Sequence, residues 1–87
     1  MQYVYILKSK HDKELYVGCT HDLKKRVILH NSKKVKSTAK RVPFSLIYYE
    51  AYLNNKDAFV REQFLKTGWG RRYIKKVLGH YFNSQKV

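Results

Sequence analysis

Two runs of β-branched and aromatic residues decide the fold, and both lie in the stretch QYVYILKSKHDKELYVGCT at residues 2–20. The runs cover residues 2–8 and 15–20, and the polar residues 9–14 between them are typical of a turn. The stretch therefore predicts a β-hairpin. Successive side chains of a strand point to opposite faces of the sheet. In the first strand one face carries Tyr3, Tyr5 and Leu7, and the other carries Val4 and Ile6.

The period of the apolar residues changes after this hairpin. Leu23, Val27 and His30 stand at positions i, i+4 and i+7, and Arg26 lies on the same side. Residues at these spacings share one face of an α-helix. The sequence therefore predicts a helix over residues 22–31.

The rest of the chain predicts a loop, a strand and two helices. A basic loop is expected at residues 31–43 and a third strand at residues 44–53. Helices are expected at residues 56–66 and from about residue 70 to residue 77, each ended by the glycine that follows it. The order ββαβαα predicts an α+β fold, a small sandwich with a central three-stranded antiparallel sheet flanked by about three helices.

Length and composition limit the class of protein. The 87 residues predict one domain spanning residues 1–87. A domain of this size buries only about 60% of the surface of its unfolded chain, so any active site is expected in a shallow cleft. The single Cys19 excludes an internal disulfide and a cysteine-rich zinc site. Because neither a long apolar run nor a secretory signal is found, we expect a cytoplasmic protein.

The charge of the chain predicts a polyanionic partner. It has 19 Lys and Arg against 6 Asp and Glu, a formal net charge of +13. No acid occurs from Leu23 to Tyr49, and such a stretch suits contacts with the phosphates of DNA. The residues predicted here to bind nucleic acid are Lys24, Lys25, Lys33, Lys34, Lys36, Lys40 and Arg41. A solvated face without a partner is the alternative, and an anionic membrane is disfavoured because the first helix lacks a wide apolar face.

Four short fragments are spread over most of the chain. They are Tyr3-Val4-Tyr5, Tyr16-Val17-Gly18, Asp22-Leu23-x-x-Arg26-x-x-x-His30-Asn31 and Ala58-x-x-x-Glu62-x-x-Leu65-Lys66. In this order and spacing they resemble the GIY-YIG nuclease superfamily, most closely its small stand-alone members. The resemblance implies a small domain around a three-stranded antiparallel sheet. It also implies divalent-metal-dependent hydrolysis of phosphodiester bonds in DNA.

The same resemblance implies a set of site residues. Matched position by position, the catalytic residues are Tyr5, Tyr16, Arg26, His30 and Glu62, and Glu62 is also the ligand of Mg²⁺ or Mn²⁺. Gly18 is expected to support the site by allowing a close approach beside the tyrosines. The residue types suit the chemistry. A nearby cation favours a phenolate, an arginine stabilises charge on phosphoryl oxygens, and a carboxylate suits Mg²⁺.

The chain departs from the family pattern in two places. Tyr3 stands where the first motif of the family has a glycine. Only Asn83 is available for an asparagine that many members carry near the end of the domain, and no role is assigned to it. Because no base-reading module accompanies the motifs, we expect the protein to select DNA structure rather than sequence.

Most of these residues also have a structural interpretation. Tyr5 and Tyr16 can be ordinary strand aromatics. His30 can complement the dipole at the end of its helix, and Gly18 can mark a bulge.

The second half of the chain leaves similar alternatives. Glu62 lies on or beside the inward stripe of its helix, where it can pair with Arg61 or Arg26 instead of a metal. Trp69 and Tyr73 can stack on bases, although packing of the last helix against the sheet is the favoured interpretation. For the whole protein, the rival of a nuclease is a non-catalytic nucleic-acid-binding module that has kept the fold.

Overall fold

The fold consists of one sheet with helices on both faces. A computed structural model describes residues 1–85. The strands are β1 (Gln2–Ser9), β2 (Leu15–Thr20) and β3 (Phe44–Tyr52). The helices are α1 (Leu23–Asn31), α2 (Asn55–Leu65), α3 (Gly68–Val77) and α4 (Gly79–Ser84), with a short 3₁₀ helix at Lys36–Arg41. The predicted α+β class and the order ββαβαα are confirmed as far as the end of α3.

Strand β1 is the centre of the sheet, which has the order β2-β1-β3 with antiparallel pairs. Tyr5 lies opposite Gly18 on one side and opposite Tyr49 on the other. The register with β3 shifts between Ile6 and Leu7, so that one residue of β3 has no partner there. The four residues 4–7 are each 1% exposed or less, because both edges and both faces of β1 are covered.

The two faces of the sheet form separate cores, as the alternation in β1 predicted. The face under α2 and α3 buries Val4, Ile6, Ala58, Leu65 and Ile74. The face under α1 buries Tyr5, Leu7 and Phe44, with Tyr16, Leu23, Val27 and Val42 packed against them. The active-site tyrosines predicted from the sequence therefore lie on the α1 face.

Side-chain caps fix the starts of the helices. Asp22 Oδ1 accepts a hydrogen bond from the backbone N–H of Lys25 at 3.1 Å, and Asn54 Oδ1 accepts one from Lys56 at 2.8 Å. Such caps satisfy backbone donors that have no partner within the helix.

Three segments differ from the prediction. The basic loop contains the 3₁₀ helix, and this helix buries Thr38. Gly79 begins α4 instead of only ending α3, because its φ is not positive and its backbone continues into another helical turn. Trp69 does not pack against the sheet, since 71% of its surface is exposed, whereas Tyr73 is 37% exposed.

Candidate active site

The site is built around the phenol of Tyr5, which lies across Gly18. Tyr5 is fully buried, and a Cβ placed on Gly18 would overlap its Oη and Cζ atoms. The pairing of β1 with β2 continues without a break through Gly18, so the interpretation of this glycine as a bulge is wrong. Gly18 instead makes room for the phenol, as the expected close approach requires.

A chain of hydrogen bonds connects Tyr5 with His30 and Thr38. Tyr5 Oη lies 2.9 Å from His30 Nε2, and His30 Nδ1 lies 2.8 Å from Thr38 Oγ1. Because the Thr38 hydroxyl donates to the carbonyl of Val35 at 3.3 Å, we infer that it accepts the proton of Nδ1. Nε2 then has a free lone pair, and the Tyr5 hydroxyl donates to it.

The imidazole of His30 is held in its neutral form. Its ring is completely buried, and this burial lowers the pKa of His30, with the charge of Arg26 acting in the same direction. Burial disfavours the charged ring that would complement the helix dipole, so the hydrogen bonds to Tyr5 and Thr38 account for His30 better than the dipole does. The ring is oriented as an acceptor toward Tyr5.

Thr38 is the member of this chain that sequence reasoning missed. It is buried in the 3₁₀ helix and lies eight positions after His30. A threonine inside a run of lysines carries no spacing signal, because its partner is reached across a loop and not along a helix or a strand.

Aromatic rings enclose the imidazole. The ring of Tyr16 lies 5.0 Å from that of His30, and the ring of Phe44 lies 5.9 Å from it, both edge to face. Tyr16 is also 6.4 Å from Tyr5, and it is half-buried. Tyr5, Tyr16 and His30 thus form one cluster, with Tyr16 at its more open side.

Tyr5 is a neutral phenol in the free protein. Burial, the neighbouring Tyr16 and the carboxylate of Glu62 raise the pKa of Tyr5 to about 12, although Arg26 acts to lower it. We expected a nearby cation to favour the phenolate. Arg26 does act to lower the pKa of Tyr5, but burial raises this pKa by more, so the expectation is wrong for the free protein.

Arg26 and Glu62 approach this cluster from two different helices. Arg26 lies one turn before His30 on α1, is half-buried, and forms no ion pair within residues 1–85. Glu62 lies on α2, which contacts both β1 and β2, and its side chain is 16% exposed. Both charges act on the pKa of Tyr5, Arg26 to lower it and Glu62 to raise it.

The partner of Glu62 differs from the two alternatives that the sequence offered. Lys66 Nζ lies 3.2 Å from Glu62 Oε2, one helical turn further along α2. Arg61 is instead held by Glu50, whose two carboxylate oxygens accept from its Nε and Nη2 at 2.8 Å and 2.9 Å. Lys66 is 48% exposed, so this ion pair is open to solvent and exchangeable.

Glu50 belongs to a structural network that the sequence did not reveal. Besides Arg61, the hydroxyls of Tyr48 and Tyr52 donate to its carboxylate. Burial acts to raise the pKa of Glu50, but these donors outweigh it and lower the pKa to about 2. The network ties β3 to α2 on the face of the sheet opposite to Tyr5.

A metal at this site would have one carboxylate from the protein. Residues 1–85 contain no group of three or more His, Cys, Asp or Glu that could hold a metal ion. Mg²⁺ commonly keeps several waters and binds through one or two carboxylates plus the phosphates of its substrate. The oxygen donors of Glu62 therefore fit such an ion.

The predicted basic surface is exposed except at one position. Arg41 donates from Nε and Nη2 to Asp12 at 2.6 Å and 3.3 Å, and it lies 5.5 Å from the ring of Phe44. This bonding lowers the pKa of Asp12 to about 2 and neutralises the charge of Arg41. The other six, all exposed, are Lys24, Lys25, Lys33, Lys34, Lys36 and Lys40.

Within residues 1–85 no helix is long and apolar enough to span a membrane.

Comparison with known proteins gives the family. Residues 1–75 match the model of the GIY-YIG catalytic domain. A UPF0213 protein of Streptococcus pyogenes is 45% identical over 85 residues, which cover 97% of this chain and 88% of the relative. A UPF0213 protein of Clostridium perfringens is 45% identical over 67 residues, 76% of this chain and 71% of the relative.

A solved structure supports the same assignment. The solution NMR structure of a UPF0213 protein from Bacillus halodurans aligns with a TM-score of 0.59 and 30% identity, covering 99% of this chain and 95% of the other. GIY-YIG domains are generally nucleases that act on nucleic acids and typically use divalent metals. The matched range includes the Tyr5 cluster, Arg26 and Glu62. The chain therefore belongs to the GIY-YIG nuclease family, together with the UPF0213 proteins.

Proposed function

We propose that this protein is a divalent-metal-dependent endonuclease that hydrolyses phosphodiester bonds in DNA and selects DNA structure rather than sequence. The observation that carries the proposal is the hydrogen-bonded chain from Tyr5 through His30 to Thr38. Any buried phenol needs a hydrogen-bond partner, but a neutral imidazole as the acceptor, itself held by Thr38, is an arrangement that can also transfer a proton.

The chain of hydrogen bonds allows Tyr5 to act as a proton relay. A water that enters the cluster from its more open side, beside Tyr16, would give a proton to the Tyr5 oxygen as Tyr5 passes its own proton to His30 Nε2. One proton would thus move from water to the imidazole while Tyr5 stays neutral. Because burial disfavours the charged ring, the imidazole would hold this proton only briefly and return it through Tyr5 to the leaving oxygen or to solvent. Thr38 keeps the proton of Nδ1 in place and so maintains Nε2 as the acceptor.

Two charged residues serve the phosphate group. Arg26 lies at the i, i+4 position from His30, so both side chains are directed to one site. Its guanidinium, free of an ion pair within the described residues, stabilises the charge that grows on the phosphoryl oxygens. Glu62 would hold the divalent ion, which neutralises the leaving oxygen when it is bound.

The basic surface suits a protein that recognises the shape of DNA and not its base sequence. The exposed lysines of α1 and the following loop are flexible cations that contact phosphates, and phosphates carry no sequence information. We therefore expect nicked or branched DNA to be distinguished from intact duplex by geometry.

A cleavage assay tests the proposal. The purified protein is incubated with supercoiled, nicked and branched DNA in Mg²⁺, Mn²⁺ or EDTA. We expect cleavage that needs the metal and is lost in Glu62→Gln, which keeps the volume but removes the charge. The matched control is Asp57→Asn, which changes an exposed acid in the first turn of the same helix and should retain cleavage.

Binding measurements separate the rival function. Glu62→Gln should fold, as circular dichroism would show, and bind DNA at least as well as the wild type, because one negative charge has left the phosphate site. Salt-sensitive binding without cleavage of any substrate would identify a non-catalytic binding module. Cleavage by Glu62→Gln at the wild-type rate would contradict the assignment of Glu62.

A further inference from the structure

Trp69 is an exposed indole in the first turn of α3. It is the single tryptophan of the chain, and at 71% it is the most exposed aromatic side chain in residues 1–85. Because most of its surface is exposed, packing in the core does not explain this side chain.

The backbone around Trp69 is held in a fixed position. A Cβ placed on the buried Gly70 would overlap the carbonyl oxygen of Phe64 and the backbone of Leu65. The N–H of Gly70 also donates to Thr67 Oγ1 at 3.1 Å. These contacts press the first turn of α3 against the last turn of α2. The backbone that carries the exposed indole is therefore fixed relative to α2, the helix that carries Glu62.

A cation lies beside this indole, in a stretch of the chain without acids. The guanidinium of Arg72 lies 5.1 Å from the centre of the Trp69 ring. No acid occurs from Gln63 to the end of the chain, and the cations in this stretch begin with Lys66, which contacts Glu62 at 3.2 Å. An aromatic face beside cations is the combination with which proteins bind single-stranded nucleic acid, since bases stack on the ring while phosphates meet the charges.

We propose that Trp69, with Arg72 beside it, is a stacking platform for an unpaired base of the DNA substrate. That the ligand is DNA rests on the proposed nuclease function. A base inside a duplex has both faces covered by its neighbours, whereas an unpaired base offers a free face. If Trp69 stacks on an unpaired base, the preferred substrate is DNA that contains a single-stranded segment.

The tryptophan itself reports the binding. Because Trp69 is the only indole, its emission can be followed during titration of the wild-type protein in EDTA, where no metal is present. The probes are a single-stranded oligonucleotide, the same strand with abasic sites, and a blunt duplex. We expect quenching by the first probe and little by the other two.

Variants measure the contribution of the ring. Trp69→Ala should bind the single strand about 5- to 150-fold more weakly, the range expected for one stacked base, with duplex binding unchanged. Trp69→Phe should retain most of the affinity. Leu53→Ala is the matched control, because Leu53 is 89% exposed and lies outside the basic stretch.

The outcomes separate this proposal from the nuclease assignment. Equal quenching by the abasic strand, or wild-type affinity of Trp69→Ala for the single strand, would overturn the platform even if cleavage is observed. Quenching by unpaired bases in a protein that never cleaves DNA would support the platform and refute the enzyme.

Discussion

Gly18 determines where the phenol of Tyr5 can lie, and a single methyl group tests this. Gly18→Ala places a Cβ against the ring of Tyr5, which is itself completely buried and cannot move away cheaply. We expect a loss of about 1–3 kcal/mol in the free energy of unfolding, as for other overpacked sites. Cleavage should fall with it, because the hydrogen bond to His30 is displaced. Urea unfolding and the nuclease assay measure the two effects.

Gly68 provides the control for this substitution. A Cβ there meets no atom within 4 Å, and no glycine of the described residues has a positive φ. Gly68→Ala should be neutral or stabilise the protein by up to about 1 kcal/mol through the unfolded state. Equal effects of the two substitutions would show that Tyr5 does not depend on Gly18.

Arg26 should matter for the rate far more than for binding. Arg26→Ala removes one of 19 cations, so the affinity for DNA should change little, but it also removes the donor that we propose for the phosphoryl oxygens. We expect cleavage to fall about 10²- to 10³-fold, by analogy with the loss of one oxyanion donor. Lys25→Ala, which removes an exposed neighbouring cation, should cleave almost normally. Single-turnover rates and anisotropy titrations with DNA distinguish the two residues.

Equal losses of binding and cleavage in Arg26→Ala would make this arginine part of the general phosphate-binding surface.

At the scale of residues, the sequence predicted which side chains of the candidate site lie together better than it predicted their protonation and their partners. The resemblance to the GIY-YIG superfamily implied that Tyr5, Tyr16 and His30 act together, and the structure places their rings in one cluster. It did not predict that Tyr5 is neutral, because desolvation depends on atoms packed around the phenol from distant segments. It also left the partner of Glu62 open, because several cations lie within reach along the chain.

At the scale of elements, the hairpin, α1, β3 and α2 were predictable because their signals are local. Alternation, helical spacing and the caps at Asp22 and Asn54 all lie within the segments that they define. The short α4 was missed, since six residues are too few to show a period and Gly79 is normally a stop signal. The 3₁₀ helix was missed for a similar reason, because its residues are mostly basic and carry no apolar spacing.

The contact between β3 and α2 should make folding sensitive to acid. The pKa of Glu50 is lowered to about 2 in the folded protein, so its stabilising effect is complete above its ordinary pKa of 4.5 and is lost as the pH falls toward 2. Glu50→Gln keeps the shape but loses the charged acceptor for Arg61. At pH 7 we expect it to lower the free energy of unfolding by about 1–3 kcal/mol.

Urea unfolding at pH 7 and at pH 3 checks this prediction. The gap between wild type and Glu50→Gln should be smaller at pH 3, where part of the benefit of ionisation is already lost. Glu14→Gln, at an exposed position in the hairpin turn, serves as the control and should follow the wild type. A gap that does not change with pH would show that packing, and not charge, is the contribution of Glu50.

At the scale of the whole molecule, the net charge of +13 should make DNA binding strongly dependent on salt. Each phosphate neutralised contributes a slope of about −0.9 to the plot of log affinity against log salt. The double variant Lys33→Ala/Lys34→Ala should reduce the slope by up to about 2 for duplex DNA of any sequence. Arg41→Gln should leave it unchanged, because Asp12 already neutralises Arg41. Anisotropy titrations over a range of KCl concentrations measure these slopes.

Binding that persisted unchanged into high salt, or a slope that changed as much in Arg41→Gln as in the double variant, would contradict this electrostatic account.

The central position of β1 has a consequence for local opening of the chain. Residues 4–7 are hydrogen-bonded to strands on both sides and are 1% exposed or less, whereas β2 and β3 each have a free edge. Amide protons of such a segment exchange with deuterium only when the whole molecule unfolds. We expect the amides of β1 to exchange most slowly, at a rate set by global stability, and those of α4 to exchange much faster. The phenol that we propose as the proton relay is thus attached to the last segment to open, so heating should abolish any catalysis and the tertiary structure at one and the same temperature.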